Sequence, residues 1–146
     1  MTEGVKGGED PSVSTVQDEI VAEMSGLPDW LAKYEYLVAQ GRALRVPDGD
    51  IRTEEYAVPG CQSRVWIKAE LRDGRLCLAA DSDAMITRGI IALLLRVLDG
   101  RAPDEVVATE LYFLDRTGLR MHLSPSRANG LTAMVRTIRA YAEEWA

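Results

Sequence analysis

Cys61 has the clearest chemical potential in this sequence, because it directly follows Pro59 and Gly60 in the stretch VPGCQSR at 58–64. Proline restricts its own φ and biases the residue before it toward extended backbone, while glycine adopts conformations that are closed to other residues. The pair predicts a tight loop with Cys61 at its apex, immediately before a strand. A thiol presented in this way is a candidate nucleophile.

The neighbours of Cys61 favour the ionised form of its thiol. The backbone amides of Gln62 and Ser63 are available to point at the sulfur, and Arg64 adds positive charge one strand position further along. Hydrogen bonds and nearby cations both lower the pKa of a cysteine. Most cysteines, however, behave as small buried hydrophobic residues, and Pro-Gly before a strand is also ordinary turn chemistry. Spacing alone therefore leaves a reactive and a packing Cys61 both open.

Cys77 and His122 are the other residues that invite a chemical interpretation. The chain has two cysteines, one histidine and no Cys-x-x-Cys pair, so cysteine and histidine cannot build a zinc cage or an iron–sulfur cluster within one chain. Cys77 lies inside the strand-like run RLCLAA and is interpreted as a packing residue. A hydrolytic pair of Cys61 and His122 stays an alternative, although nothing in the sequence links the two.

Several charged positions carry competing interpretations. Asp81 and Asp83 resemble a pair of carboxylates, but acidic residues at a helix start are explained by capping and by the helix dipole. Arg127, in SPSRANG, places a cation in the first turn of a helix against that dipole, which predicts a partner carboxylate. Gly130 in the same helix costs about 1 kcal/mol relative to alanine, which suggests that another backbone packs closely there.

Composition restricts the class of protein. With 146 residues, 47% hydrophobic and 27% charged, the chain is typical of one soluble globular domain. A formal charge of −6 argues against binding to nucleic acid, and the longest apolar run, 89–98, is too short to cross a membrane. Residues 1–14 read as a mobile tail without a signal-peptide pattern, so we expect a cytoplasmic protein with its domain at 15–146.

Periodicity indicates an α+β fold in which helices pack on a small antiparallel sheet of about three strands. Helical spacing predicts a first helix capped by Ser14 or Thr15, a second that begins at Asp29, and a buried central helix that opens with the 81–83 carboxylates. Ser124 and Pro125 mark the start of a long last helix. Strands are predicted at 52–58, 64–71 and 75–80, with an Asp73-Gly74 turn between the last two. Aromatic residues assigned to the core are Trp30, Tyr34, Trp66 and Trp145.

Three blocks of the sequence, GCQSRVW, ADSDAMITRGIIALLL and LSPSRANGLTAMVRTIRA, together resemble the SufE family of sulfur-acceptor proteins. Their order and spacing agree with that family, and the resemblance covers roughly residues 15–142. It implies the fold of the iron–sulfur scaffold proteins and a role in sulfur delivery. Cys61 matches the family's acceptor cysteine, which takes persulfide sulfur from a SufS-like cysteine desulfurase, a pyridoxal-phosphate enzyme, and passes it to an iron–sulfur scaffold.

The resemblance also implies roles around the cysteine. Gly60 would be the hinge of the loop, and Gln62 and Ser63 match the loop motif. Asp83 matches the acidic residue that begins the neighbouring helix, and Arg127 matches an arginine that faces the desulfurase. No cofactor, metal or nucleotide is implied for the chain itself, which would be a monomer or a weak homodimer.

Two other functions stay open beside the sulfur acceptor. One is a redox or hydrolytic enzyme in which Cys61 acts alone, although the absence of Cys-x-x-Cys and of a His-Asp pair counts against it. The other is a scaffold on which clusters form, which lacks ligands unless two chains share a site.

Overall fold

The computed structural model describes residues 11–46, 50–61 and 63–146 and confirms the α+β class. Its helices are α1 Val13–Ser25, α2 Trp30–Ala43, α3 Met85–Leu98, α4 Pro103–Ala108, α5 Phe113–Arg116, α6 Leu119–His122 and α7 Pro125–Trp145. A single turn of 3-10 helix covers Glu54–Tyr56, and the strands are β1 Val65–Arg72 and β2 Arg75–Ser82. Gln62, a predicted site residue, lies outside the described residues.

Strands β1 and β2 form the predicted antiparallel hairpin, with Val65 opposite Ser82 and Arg72 opposite Arg75. Asp73 and Gly74, at φ 52° and 76°, occupy the left-handed region, as a two-residue type I′ turn requires. The Asp-Gly pair thus produces the turn that its sequence predicts.

The third strand, predicted at 52–58, was wrong. Tyr56 donates its backbone N–H to Thr53 and Ala57 donates to Glu54, which makes the local turn of 3-10 helix. These donors are therefore not available to a strand ladder. Within the described residues, this segment forms one isolated β-bridge to the two-stranded sheet, between Ala57 and Trp66.

Helix starts agree with the sequence in α2 and α7, but not in α1 or in α3, which begins at Met85 rather than at the 81–83 carboxylates. Asp29 caps α2 by accepting a 2.8 Å hydrogen bond from the Ala32 amide, and Ser124 caps α7 as predicted. In α1 the cap is Ser12, whose hydroxyl accepts from the Thr15 amide at 3.0 Å, so the predicted caps Ser14 and Thr15 were wrong. The helix begins inside the segment 1–14 assigned to the tail. Residues 1–10 are outside the described residues, and the tail stays a prediction there.

Helix α3 is the buried centre of the fold, as predicted, and packs against α2 almost backbone to backbone. A Cβ added to Gly89 would lie 2.1 Å from the carbonyl oxygen of Leu37, so only glycine fits at this crossing. Of the aromatic residues assigned to the core, Trp66 is buried and Trp30 and Tyr34 are half-buried. Trp145 is 39% exposed, because it lies beyond Ala142, the last buried residue of α7.

A charged cluster joins α1 to α3. Arg96 donates two hydrogen bonds to the carboxylate of Glu23, at 2.9 and 2.6 Å, and the Tyr36 hydroxyl donates a third at 2.7 Å. The Arg96 hydrogen bond is the main reason that the pKa of Glu23 falls to about 2. Helices α1, α2 and α3 are thereby held together at the surface as well as in the core.

Candidate functional site around Cys61

The Cys61 loop is closed at its base by a backbone hydrogen bond. Val58 donates its N–H to the carbonyl of Val65 at 2.9 Å, which gives the Cys61 loop a fixed base. Gly60 is exposed and has φ +86°, a conformation that other residues rarely adopt. The Pro-Gly pair therefore makes the tight loop that the sequence predicts.

Arg64 provides the second anchor of the loop, through its backbone. The Ser82 hydroxyl donates to the Arg64 carbonyl at 2.7 Å, and the Arg64 amide donates to the Asp83 carboxylate at 3.1 Å. Asp83 thus positions the loop. The capping interpretation of Asp83 was wrong, because α3 has Ala84 at its N-cap and no side-chain cap.

Asp81 does not cap α3 either, but is buried between two arginines. It accepts two hydrogen bonds from Arg52, at 2.8 and 2.9 Å, and forms a 3.3 Å ion pair with Arg88. The side chain of Asp81 is 4% exposed. A charge this buried needs such partners. Asp81, near the end of β2, is therefore linked to Arg52, which precedes the Cys61 loop, and to Arg88 of α3.

The thiol of Cys61 is half-buried and turned toward the first turns of α7. Its Sγ lies 3.6 Å from the carbonyl oxygen of Gly130, to which the thiol can donate. Burial raises the pKa of this thiol above its ordinary value. Within the part of the chain that the structure describes, the Ser63 amide makes no hydrogen bond to the sulfur. In this conformation the thiol is favoured over the thiolate that the sequence suggested.

Beneath the loop lies a cavity of about 420 Å³ that Cys61 helps to line. Three apolar side chains, Val65, Ile90 and Met134, belong to this lining. The polar side chains that share it are Ser63, Thr87, Ser124, Ser126 and Arg127. The structure thus brings Cys61, Ser63 and Arg127 to one cavity. Gly60 belongs to the loop itself, and Asp83 binds the backbone of Arg64 at the end of the loop.

Arg127 is exposed on the first turn of α7 and forms no ion pair with any described residue, so the predicted partner carboxylate is absent from the described part of the chain.

The reason for a glycine at position 130 of α7 differs from the prediction. The group that approaches it is the Cys61 side chain, whose Sγ would lie 3.6 Å from an added Cβ, and not a second backbone.

Sequence reasoning missed the site roles of Thr87 and Met134, because both lie on helices whose apolar residues were assigned to the core. The unusual glycine in α7 was the signal that could have located the contact with Cys61.

Cys77 and His122 lie away from this cavity. Cys77 pairs with Glu70 in the hairpin and lines a different cavity from Cys61. Both thiols are free in the structure. The His122 ring stacks on Trp30 with centroids 4.0 Å apart, and its Nδ1 lies 3.0 Å from the Gly118 carbonyl oxygen. A Cys61–His122 pair is not formed.

No group of three or more His, Cys, Asp or Glu side chains in 11–46, 50–61 and 63–146 is arranged to hold a metal ion. No helix in those ranges is both long and apolar enough to cross a membrane.

Residues 18–142 match the family model of SufE, the Fe-S metabolism associated domain. The chain belongs to the SufE family. A SufE-like protein of Rhizobium meliloti, itself uncharacterised, is 34% identical over 134 residues, which are 88% of this chain and 96% of that protein. An uncharacterised SufE-like protein of Synechocystis is 39% identical over 114 residues, covering 77% of this chain and 70% of its own.

Two further comparisons extend the similarity. The chloroplastic/mitochondrial SufE-like protein 1 of Arabidopsis thaliana is 38% identical over 125 residues, which cover 85% of this chain but 34% of that longer protein. The solution structure of a hypothetical protein from Thermus thermophilus superposes with a TM-score of 0.73 at 21% identity, covering 88% of this chain and 94% of the other. This likeness supports the α+β fold.

Proposed function

We propose that this SufE-family protein accepts sulfur from a PLP-dependent, SufS-like cysteine desulfurase on Cys61, stimulates that enzyme, and passes the sulfur to iron–sulfur cluster assembly. The observation that carries the proposal is a thiol on an anchored loop, hinged at a glycine with φ +86° and lying over its own cavity. Family membership and the Fe-S metabolism domain support it.

The transfer is a thiol–disulfide exchange shifted by one sulfur atom. The Cys61 thiolate attacks the outer sulfur of the desulfurase's persulfide, and a new S–S bond forms on Cys61. The S–S bond of the donor breaks, and the donor cysteine leaves as a thiolate. Sulfur moves without any net oxidation or reduction, so the step needs no further reactant.

The raised pKa of Cys61 fits a carrier that is idle until it docks. A buried neutral thiol reacts slowly with oxidants and electrophiles, because the thiolate is the reactive form. Docking would draw the loop outward about Gly60 and expose the sulfur to water. This removes the burial that raises the pKa, so the nucleophile forms at the place where it is used.

The docking surface in this proposal includes Arg127 and the loop-positioning carboxylate of Asp83. Arg127 is exposed beside the cavity and, among the described residues, has no carboxylate that would compete with a partner. Its guanidinium is suited to bind a carboxylate or backbone carbonyl of a desulfurase. We place the exchange in the cytoplasm, where reducing conditions keep both cysteines free.

The test is desulfurase activity, measured as sulfide release from cysteine, with wild-type protein and three variants. Cys61→Ser should abolish stimulation yet retain binding to the desulfurase, because the docking surface is much larger than one atom. Arg127→Ala should weaken stimulation without unfolding. Arg136→Ala, an exposed arginine of α7 that does not line the Cys61 cavity, is the matched control and should stimulate normally.

Two outcomes would contradict the proposal. Full stimulation by the Cys61 variant would show that the cysteine does not carry the sulfur. Equal stimulation by the Arg127 and Arg136 variants would remove Arg127 from the docking surface. A stand-alone enzyme would instead turn over a substrate without any desulfurase.

A further inference from the structure

Thr87 is a largely buried residue, 6% exposed, that lines the Cys61 cavity. Its hydroxyl forms no hydrogen bond with any described residue, but it is not one of the fully buried side-chain atoms that lack a partner. The hydroxyl therefore keeps some surface that water or a ligand in the cavity can reach. Because buried polar groups in folded proteins are normally satisfied, the Thr87 hydroxyl is available to hydrogen-bond to a polar ligand in the cavity.

The opposite rim of the cavity favours a negative charge. It is the N-terminus of α7, a helix of 21 residues, whose dipole attracts anions. Pro125 has no N–H and the Arg127 amide donates to the Ser124 hydroxyl, so of the first three residues only Ser126 offers its amide to a ligand. The hydroxyls of Ser124 and Ser126 lie 3.4 Å apart on this rim, and Arg127 adds a cation free of ion pairs within the described residues. No Asp or Glu of the described residues lines the cavity. This donor set matches a carboxylate.

The remaining lining is apolar and includes a thiol. Val65, Ile90 and Met134 give hydrophobic walls, and Cys61 lies in the same cavity as the carboxylate-matching rim. The volume of about 420 Å³ falls in the range of small-molecule sites and accommodates an amino acid or a short peptide. A ligand that binds by its carboxylate would have its side chain beside Cys61.

We propose that the cavity binds a low-molecular-weight thiol that carries a carboxylate, such as cysteine, and that this thiol can unload the sulfur from Cys61. The proposal rests on Cys61 as the sulfur carrier proposed above. Arg127 and Ser126 bind the carboxylate, and Thr87 donates to or accepts from a second polar group. The small thiol thereby becomes a sulfur acceptor beside the scaffold protein.

The chemistry balances without an oxidant or reductant. The thiolate of the small molecule attacks the outer sulfur of the Cys61 persulfide and forms a new S–S bond to it. The bond between that sulfur and Cys61 Sγ breaks, and Cys61 leaves as a thiolate that takes up a proton. The product is the persulfide of the small thiol, and Cys61 is ready for another sulfur atom.

The kinetic test uses no desulfurase. Cys77→Ser protein is loaded on Cys61 with inorganic polysulfide, and its unloading by L-cysteine is compared with unloading by cysteamine, a thiol that lacks the carboxylate. The cysteine rate should saturate with concentration and exceed the cysteamine rate. Arg127→Ala should reduce this preference roughly tenfold, since charge-assisted hydrogen bonds have that magnitude, whereas Arg136→Ala should not. Thr87→Val should raise the cysteine concentration that gives half the maximal unloading rate about fivefold, and Thr87→Ser should restore the wild-type value.

A binding measurement separates this proposal from the proposed function. S-methyl-L-cysteine, which cannot take part in exchange, should shift the amide NMR signals of Thr87, Ser126 and Gly130 in the unloaded protein. Absence of these shifts, or unloading that is linear in concentration and equal for cysteine and cysteamine, would overturn the cavity proposal. Failure of the desulfurase assay with these shifts present would overturn only the acceptor function.

Discussion

Replacing Gly60 with alanine tests the proposed hinge of the Cys61 loop. An added Cβ would meet no close atom, since its nearest neighbour is the Cβ of Ala133 at 3.8 Å. The cost is therefore conformational: φ +86° costs a residue with a side chain about 1–2 kcal/mol. That penalty applies to the tucked loop and is relieved when the loop swings out and residue 60 leaves the left-handed region.

The expected result is faster reaction of Cys61 with a thiol-alkylating reagent. Lowering the free energy of loop opening by about 1–2 kcal/mol raises the open population, and the alkylation rate, roughly 5- to 30-fold. Gly74→Ala is the matched control, because Gly74 also has positive φ and no atom within 4 Å of an added Cβ, but lies in the hairpin turn. It should lower the melting temperature without this acceleration. An unchanged or slower rate for the Gly60 variant would refute the hinge.

Three further predictions concern charge and burial. Glu23→Gln should destabilise the fold by about 0.5–1 kcal/mol near neutral pH, since both Glu23 and Arg96 are partly exposed. Because the pKa of Glu23 is lowered to about 2, this difference should disappear as pH falls from about 5 to 2 in urea titrations. Asp81→Asn should cost about 3 kcal/mol in denaturant unfolding, because Arg88 loses its buried partner. The raised pKa of Cys61 places the midpoint of its alkylation rate at higher pH in the native than in the denatured protein. This protection of the native thiol is present below the ordinary cysteine pKa and is lost as pH rises through the folded pKa.

The elements that the sequence predicted correctly depend on local rules. Ser124 and Pro125 start α7, Asp29 caps α2, and Asp73-Gly74 makes the hairpin turn, because each needs only a few neighbouring residues to act. The Cys61 loop belongs to the same group, since Pro-Gly restricts the backbone whatever surrounds it.

The errors concern features that tertiary contacts decide. The pKa of Cys61 depends on burial against Gly130, which is 69 residues away and invisible to local spacing. Asp81 and Asp83 precede a helix and look like caps, yet Arg52 and the Arg64 amide bind them instead. In each case a partner distant in sequence overrides a reasonable local interpretation.

Thr87 illustrates a different limit of sequence reading. Nothing in the sequence distinguishes a threonine inside a strongly apolar helix from a core residue, and only the structure shows that Thr87 lines the Cys61 cavity. The role of Ser63 stays a prediction, since its amide makes no hydrogen bond to the sulfur within the described part of the chain. The role of Gln62 also stays a prediction, because that residue lies outside the described ranges.

The most direct measurement of the central claim is the mass of the protein after incubation with a host cysteine desulfurase and cysteine, followed by peptide mapping. We predict a gain of one sulfur atom on the peptide that contains Cys61, and none on the peptide that contains Cys77 or on the Cys61→Ser variant. No gain with any desulfurase of the host, or a gain located on Cys77, would contradict the assignment of Cys61 as the sulfur acceptor.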